Sequence, residues 1–178
     1  MGLACWLLAG PGTAPAQTAA APPPELAAHT PALRLAGSGL MTYLTLDIYR
    51  AALWAPADFR ADSYEQRPFA LELTYLRSLD GQAIAKRSLT EMRRAATLTD
   101  AQASSWLAAM QAAFPNVSNG DRITGINQPG VGALFVVNGK TGARIADPQF
   151  AKLFFGIWLA PTTSEPALRQ TLLAQAAS

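Results

Sequence analysis

An α+β domain, with an antiparallel sheet covered on one face by helices, follows from three features of this chain. Apolar residues alternate with polar or small ones through Phe69-Ala70-Leu71-Glu72-Leu73-Thr74-Tyr75, which puts Phe69, Leu71, Leu73 and Tyr75 on one face of a strand. They recur with helical spacing at Phe150, Leu153, Phe154, Ile157 and Trp158. Strand-like and helix-like segments come in runs, strands then helices, then strands then helices again, so a parallel βαβ architecture does not fit.

The first 16 residues carry no charge, and the short apolar run Leu3 to Leu8 is followed by Ala14-Pro15-Ala16, an A-x-A site. Residues 1–16 therefore read as a secretory signal peptide, far too short to span a bilayer. Cleavage after Ala16 would leave a chain with no cysteine and no disulfide, since Cys5 is the only one. Residues 17–31 are rich in Ala, Pro and Thr and are expected to form a flexible leader. Residues 32–178 then form a single domain, a size that supports one substantial core. Leu33 to Gly39 and Leu40 to Trp54 read as two strands, the second long enough to bend, and Gly37-Ser38-Gly39 as a strand bend.

Asp80 caps a helix running to about Ala96, and Thr99 with Gln102 forms a capping box for another that ends at Phe114-Pro115. Asp121 to Asn127 and Gly132 to Val137 form a hairpin across Gln128-Pro129-Gly130. Asn138-Gly139 begins a tight turn into a short strand near Ala143 to Ala146. The Asp of Gly120-Asp121 reads as a turn residue held by Arg122 or a backbone amide. Asp147-Pro148 starts the aromatic helix, Pro161 ends it, and a last helix covers about Pro166 to Ala176.

Composition excludes several function classes. The net charge is only +2, and the 14 basic residues, eleven of them Arg, are scattered, which leaves no footprint for nucleic acid or an anionic membrane surface. The single histidine, His29, lies in the leader, so neither a zinc or haem site nor a His-based catalytic group is expected. No cofactor is expected. The Arg93-Arg94 pair reads as a solvated face.

The blocks Gly120-Asp121, Asn138-Gly139 and Phe154-Phe155-Gly156-Ile157-Trp158-Leu159, with Gly37-Ser38-Gly39 and Ile48 to Trp54, resemble the chalcone isomerase-like family, in particular its secreted bacterial branch. The resemblance covers about Leu33 to Leu173 and implies the open-faced β-sandwich of that family. It also implies which positions hold the isomerase machinery. Leu79-Asp80-Gly81-Gln82-Ala83-Ile84 aligns without gaps with the segment ending in the catalytic Tyr, so Ile84 takes that position. Glu91 takes that of the catalytic Asn, seven residues on. The family's arginine falls on Met41, its threonine on or near Tyr49, and its last Ser/Thr near Ala151. All five have changed type, and Met41 and Ile84 can stabilise no enolate.

Glu91 is also singled out by its angular position. Ile84, Ser88, Glu91 and Ala95 lie along nearly one line of their helix with Met92 beside them. Arg87 and Arg94 are within pairing distance, while Lys86, Thr90 and Arg93 point elsewhere. One reading is a carboxylate neutralised by its arginines; the other is a group facing a cleft with Ser88. Met41, Tyr49, Ile84, Ser88 and Glu91 are the ligand-binding candidates. The expectation is a monomeric periplasmic binder of a small hydrophobic or amphipathic molecule such as a fatty acid, with no membrane span. The alternatives are an isomerase- or lyase-type enzyme using Glu91, and a structural accessory protein of the envelope. Trp158 is expected to be a core anchor rather than a ligand contact.

Overall fold

The structure, a computed structural model, describes residues 21–30 and 32–176. The expected signal peptide lies outside the described residues. The elements are α1 (Pro24–Ala27), β1 (Arg34–Tyr43), β2 (Leu46–Ala55), a 3₁₀ segment (Ala61–Gln66), β3 (Phe69–Tyr75), α2 (Gly81–Ala95), α3 (Asp100–Ala113), β4 (Arg122–Gln128), β5 (Gly132–Val137), β6 (Lys140–Ile145), α4 (Pro148–Leu159) and α5 (Pro166–Leu172). The six strands form one antiparallel sheet in chain order, β1-β2-β3-β4-β5-β6, and the helices between them lie against it as the α+β reading requires.

The helix starts are where local chemistry puts them. Asp80 accepts a hydrogen bond from the Ala83 amide at 2.9 Å, and Thr99 and Gln102 cap each other reciprocally. Asp147 accepts from the amides of Gln149 and Phe150, and its other oxygen accepts from the Trp106 indole at 2.9 Å, which ties α3 to the start of α4. Gly120-Asp121 and Asn138-Gly139 interlock: Asn138 Nδ2 donates to Asp121 Oδ1 at 3.0 Å, and Asp121 Oδ2 accepts from the Ser118 amide at 2.7 Å. The amide reading of Asp121 is the one realised.

The larger core lies under the helices. Phe69, Leu71, Leu73 and Tyr75 of β3 are buried against Met92, Trp106, Phe150, Phe154 and Phe155, with Phe69 meeting Phe155 edge to face at 4.8 Å. On α4, Phe150, Phe154 and Trp158 are buried, while Leu153 and Ile157 are half-buried.

Four expectations need correction. The reading of residues 17–31 as a flexible leader does not hold for residues 21–30. Leu26 is fully buried on the opposite face of the sheet with Trp54, Ile126, Leu134 and Val136, and Glu25 pairs with Arg122. A pattern with one apolar anchor among Pro and Ala gave no periodic signal. Second, the first two strands meet at Leu44-Thr45 rather than near Gly39, and both turn residues have positive φ (47° and 69°). No Gly, Asn or Pro marks that turn. Third, Gly37 and Gly39 accommodate a neighbour rather than only a bend: a Cβ on Gly37 would stand 2.1 Å from the Thr171 carbonyl oxygen of α5. A register shift between Leu35 and Gly37 adds the irregularity. Finally, β6 begins at Lys140, α5 stops at Leu172 and Ala95 is exposed at the end of α2.

A candidate ligand cavity between helix and sheet

Helix α2 crosses the end of the sheet where β1, β2 and β3 carry Met41, Tyr49 and Tyr75. Gly81 permits a close approach of the start of α2 to the chain just after α3, because a Cβ there would meet the Phe114 carbonyl oxygen at 2.2 Å. Its amide is held by Asn116 Oδ1 at 2.9 Å. Ala85, Leu89 and Met92 bury one stripe of α2 in the core. The adjoining stripe, Ile84, Ser88 and Glu91, faces a cavity of about 430 Å3, within the size range of small-molecule sites. Met41, Tyr49, Ile84, Ser88 and Glu91 all line it, joined by Leu73, Tyr75, Ile157 and Trp158. Ala151, placed by resemblance beside these residues, is buried elsewhere in the core and does not line this cavity.

The walls are mainly apolar, and the polar groups of Tyr49, Ser88, Glu91 and Trp158 on them already have partners within the protein. The Trp158 indole donates to the Tyr49 hydroxyl at 3.0 Å. Burial pushes the Tyr49 hydroxyl up to about 12, against the opposing effect of that bond, so it stays a neutral hydroxyl. Tyr75 stands edge to face with Tyr49 at 5.9 Å. Ser88 donates back to the Ile84 carbonyl at 2.9 Å. Trp158 is thus a core residue, packed on Phe154 at 5.5 Å, and a cavity wall at once. The expectation of an anchor with no ligand face needs that correction.

Glu91 realises both of its readings. One carboxylate oxygen meets Arg87 at 2.6 Å; the other accepts from Arg94 at 2.9 Å and from Ser164 at 3.0 Å. Burial opposes its ionisation, but the Arg94 and Ser164 hydrogen bonds and the two arginine charges outweigh it and hold the carboxyl below the ordinary glutamate range. Arg94 is therefore a partner in the site, whereas Arg93 is solvated as expected. Ser164 and Glu165, in the loop between α4 and α5, also line the cavity. Sequence gave no signal for them, because Ser164 meets Glu91 across 73 residues of chain.

Behind the cavity lies a void of about 20 Å3 bounded by Phe114, Phe135 and Phe154. It shares Leu73, Tyr75, Ile84, Ser88 and Trp158 with the larger space, so these five form the partition between them. The exposed margin is marked by Tyr43 and Arg87. A second cleft at the other end of the sheet contains the Lys152–Glu65 ion pair and none of the candidate residues.

Comparison with known proteins bears on the fold and the family. A Haemophilus influenzae protein described as uncharacterized is 30% identical over 142 residues, spanning 80% of this chain and 68% of its own. The crystal structure of an Arabidopsis thaliana fatty-acid binding protein superposes with a TM-score of 0.63 at 14% identity, covering 80% of this chain and 87% of that one, a likeness of fold. The model of the chalcone isomerase-like family matches residues 16–174, and the chain belongs to that family.

Proposed function

We propose that this protein is an exported, periplasmic binder of a small hydrophobic or amphipathic molecule, a fatty acid being the type case, without chalcone cyclase activity. The observation that carries the reading is the convergence of Met41, Tyr49, Ile84, Ser88 and Glu91 on one mainly apolar cavity of about 430 Å3. The fatty-acid binding of the Arabidopsis protein with the same fold supports it, as does the apolar run before Ala16 for export. Met41 and Ile84 offer an anion nothing, so a carboxylate head belongs at the margin beside Arg87, with its tail toward Leu73, Ile157 and Trp158. The alternative of an enzyme using Glu91 as a proton donor is disfavoured, because a carboxyl held below its ordinary range is ionised at neutral pH.

Titration with an environment-sensitive fluorescent fatty acid should give saturable binding that unlabelled fatty acid displaces. Ile84→Trp, which fills the partition, should abolish it while the protein still melts cooperatively. An unliganded wild type, or unaltered binding by Ile84→Trp, would count against the cavity. Export is checked by fractionation and mass spectrometry, with a mature N-terminus expected at or near Gln17.

A further inference from the structure

Of the five large apolar side chains left exposed among the described residues, four belong to one hairpin: Leu40 (37%), Tyr43 (57%), Leu44 (75%) and Leu46 (48%). The β1–β2 turn that projects them adopts left-handed φ at two successive residues, 47° at Leu44 and 69° at Thr45. The β5–β6 turn of the same sheet has the same φ pattern, 49° and 79°, but there the residues are Asn138 and Gly139, the pair that suits it. Within one molecule, then, the same backbone is built once from residues that fit it and once from a leucine and a threonine that do not. Unfavourable backbone retained at an exposed apolar tip points to a role for the side chains.

The position of that tip gives the role. Met41, Tyr43, Ile48 and Tyr49, on its two strands, line the cavity. Between Met41 and Ile48 the only charged residue is Asp47. We propose that the β1–β2 hairpin tip docks on a lipid bilayer, burying Tyr43, Leu44 and Leu46 among the headgroups and upper acyl chains. The cavity margin then lies against the lipid surface from which its ligand enters. The entry step rests on the cavity being a lipid site; the docking itself does not. A second copy of the chain is the poorer occupant. A stable dimer buries on the order of 800 Å2 per partner, and a narrow convex tip offers a few side chains. A bilayer accommodates a convex apolar tip, and the amphipathic ring of Tyr43 suits its interface.

The test uses the full chain and vesicles of phosphatidylcholine. Wild type should co-sediment with them, with little change at high salt, because the tip carries almost no charge. The double substitution Leu44→Ser, Leu46→Ser should weaken vesicle partition by about tenfold or more. It should leave binding of a fluorescent fatty acid in vesicle-free buffer unchanged, since neither residue lines the cavity. Leu44→Trp should show blue-shifted emission on vesicles and quenching by lipids brominated near the headgroup. Wild type that ignores vesicles, a double variant that binds them equally, or an unshifted Trp at the tip would each overturn the docking. So would a dimer that the double variant abolishes without vesicle binding in either protein. Vesicle binding without fatty-acid binding in buffer would overturn the cavity reading and leave the docking standing.

Discussion

Glu91 shows how one side chain can be structural and still shape a site. It joins α2 to the loop after α4 through Ser164 and is held by two arginines whose outer parts are solvated. Its lowered pKa means that its ion pairs contribute stability above the ordinary value of 4.5, and that this is lost as pH falls through the folded-state pKa. Glu91→Gln should therefore cost about 1 kcal/mol at neutral pH, because the exposed arginines rehydrate, and should flatten the loss of stability below that pH. Urea melts across the acid range check this, and an acid limb identical to wild type would mean the pairs contribute nothing. Glu72 acts in the opposite sense. Burial raises its pKa against the pull of Arg122, so its contribution falls as pH rises above 4.5. At Trp158, replacement by Ala should cost roughly 3–5 kcal/mol. Trp158→Phe should cost about 1 kcal/mol, leaving the buried Tyr49 hydroxyl without its donor. If Trp158→Phe changes neither melting temperature nor ligand affinity, the indole is a filler only. The Glu91 position was legible because helical periodicity is local; Ser164 was not, because a loop residue has no period.

Elements divide along the same line between local and distant causes. The caps at Asp80, Thr99 and Asp147 were readable because each is completed within three residues. The turn at Leu44-Thr45 was not, since its residues contradict its backbone. Replacing the pair with Asn-Gly should raise stability by about 1 kcal/mol or more; an unchanged or lower melting temperature would show that the turn carries no strain. The α1 segment was missed because its only signal is Leu26, whose burial depends on a sheet face assembled from Trp54, Ile126, Leu134 and Val136. Leu26→Ala should destabilise the protein by roughly 2–5 kcal/mol, which a truly flexible leader would not. Thermal melts decide between them. The Gly-x-Gly of β1 was noticed, but its cause, the backbone of α5 lying on it, comes from 134 residues further along, at Thr171.

At the scale of the whole molecule, frame and chemistry part company. The residues that carry the family resemblance are those that hold the frame. Gly120-Asp121 and Asn138-Gly139 lock together beside β4 and β5, and the Phe154 to Leu159 stretch fills the core. Such residues identify a fold without stating a reaction. The cavity lies where the resemblance puts the family's catalytic positions, and its walls are mainly apolar. Cyclising a hydroxychalcone builds negative charge on an enolate oxygen, and each oxyanion contact is typically worth about 3 kcal/mol. By that resemblance Met41 falls at the position of the family's guanidinium and Ile84 at that of its phenol. Both line the cavity, and neither has a proton to give. Tyr49 keeps a neutral hydroxyl engaged with Trp158, and the ionised Glu91 would repel the charge that forms. Incubation of the protein with a hydroxychalcone, followed on a chiral column, should therefore show racemic flavanone at the buffer rate even where the chalcone displaces a bound fatty acid. Stereoselective product above that background would mean that another group in the cavity, Ser164 or Arg87 first among them, has taken over the stabilisation of the enolate.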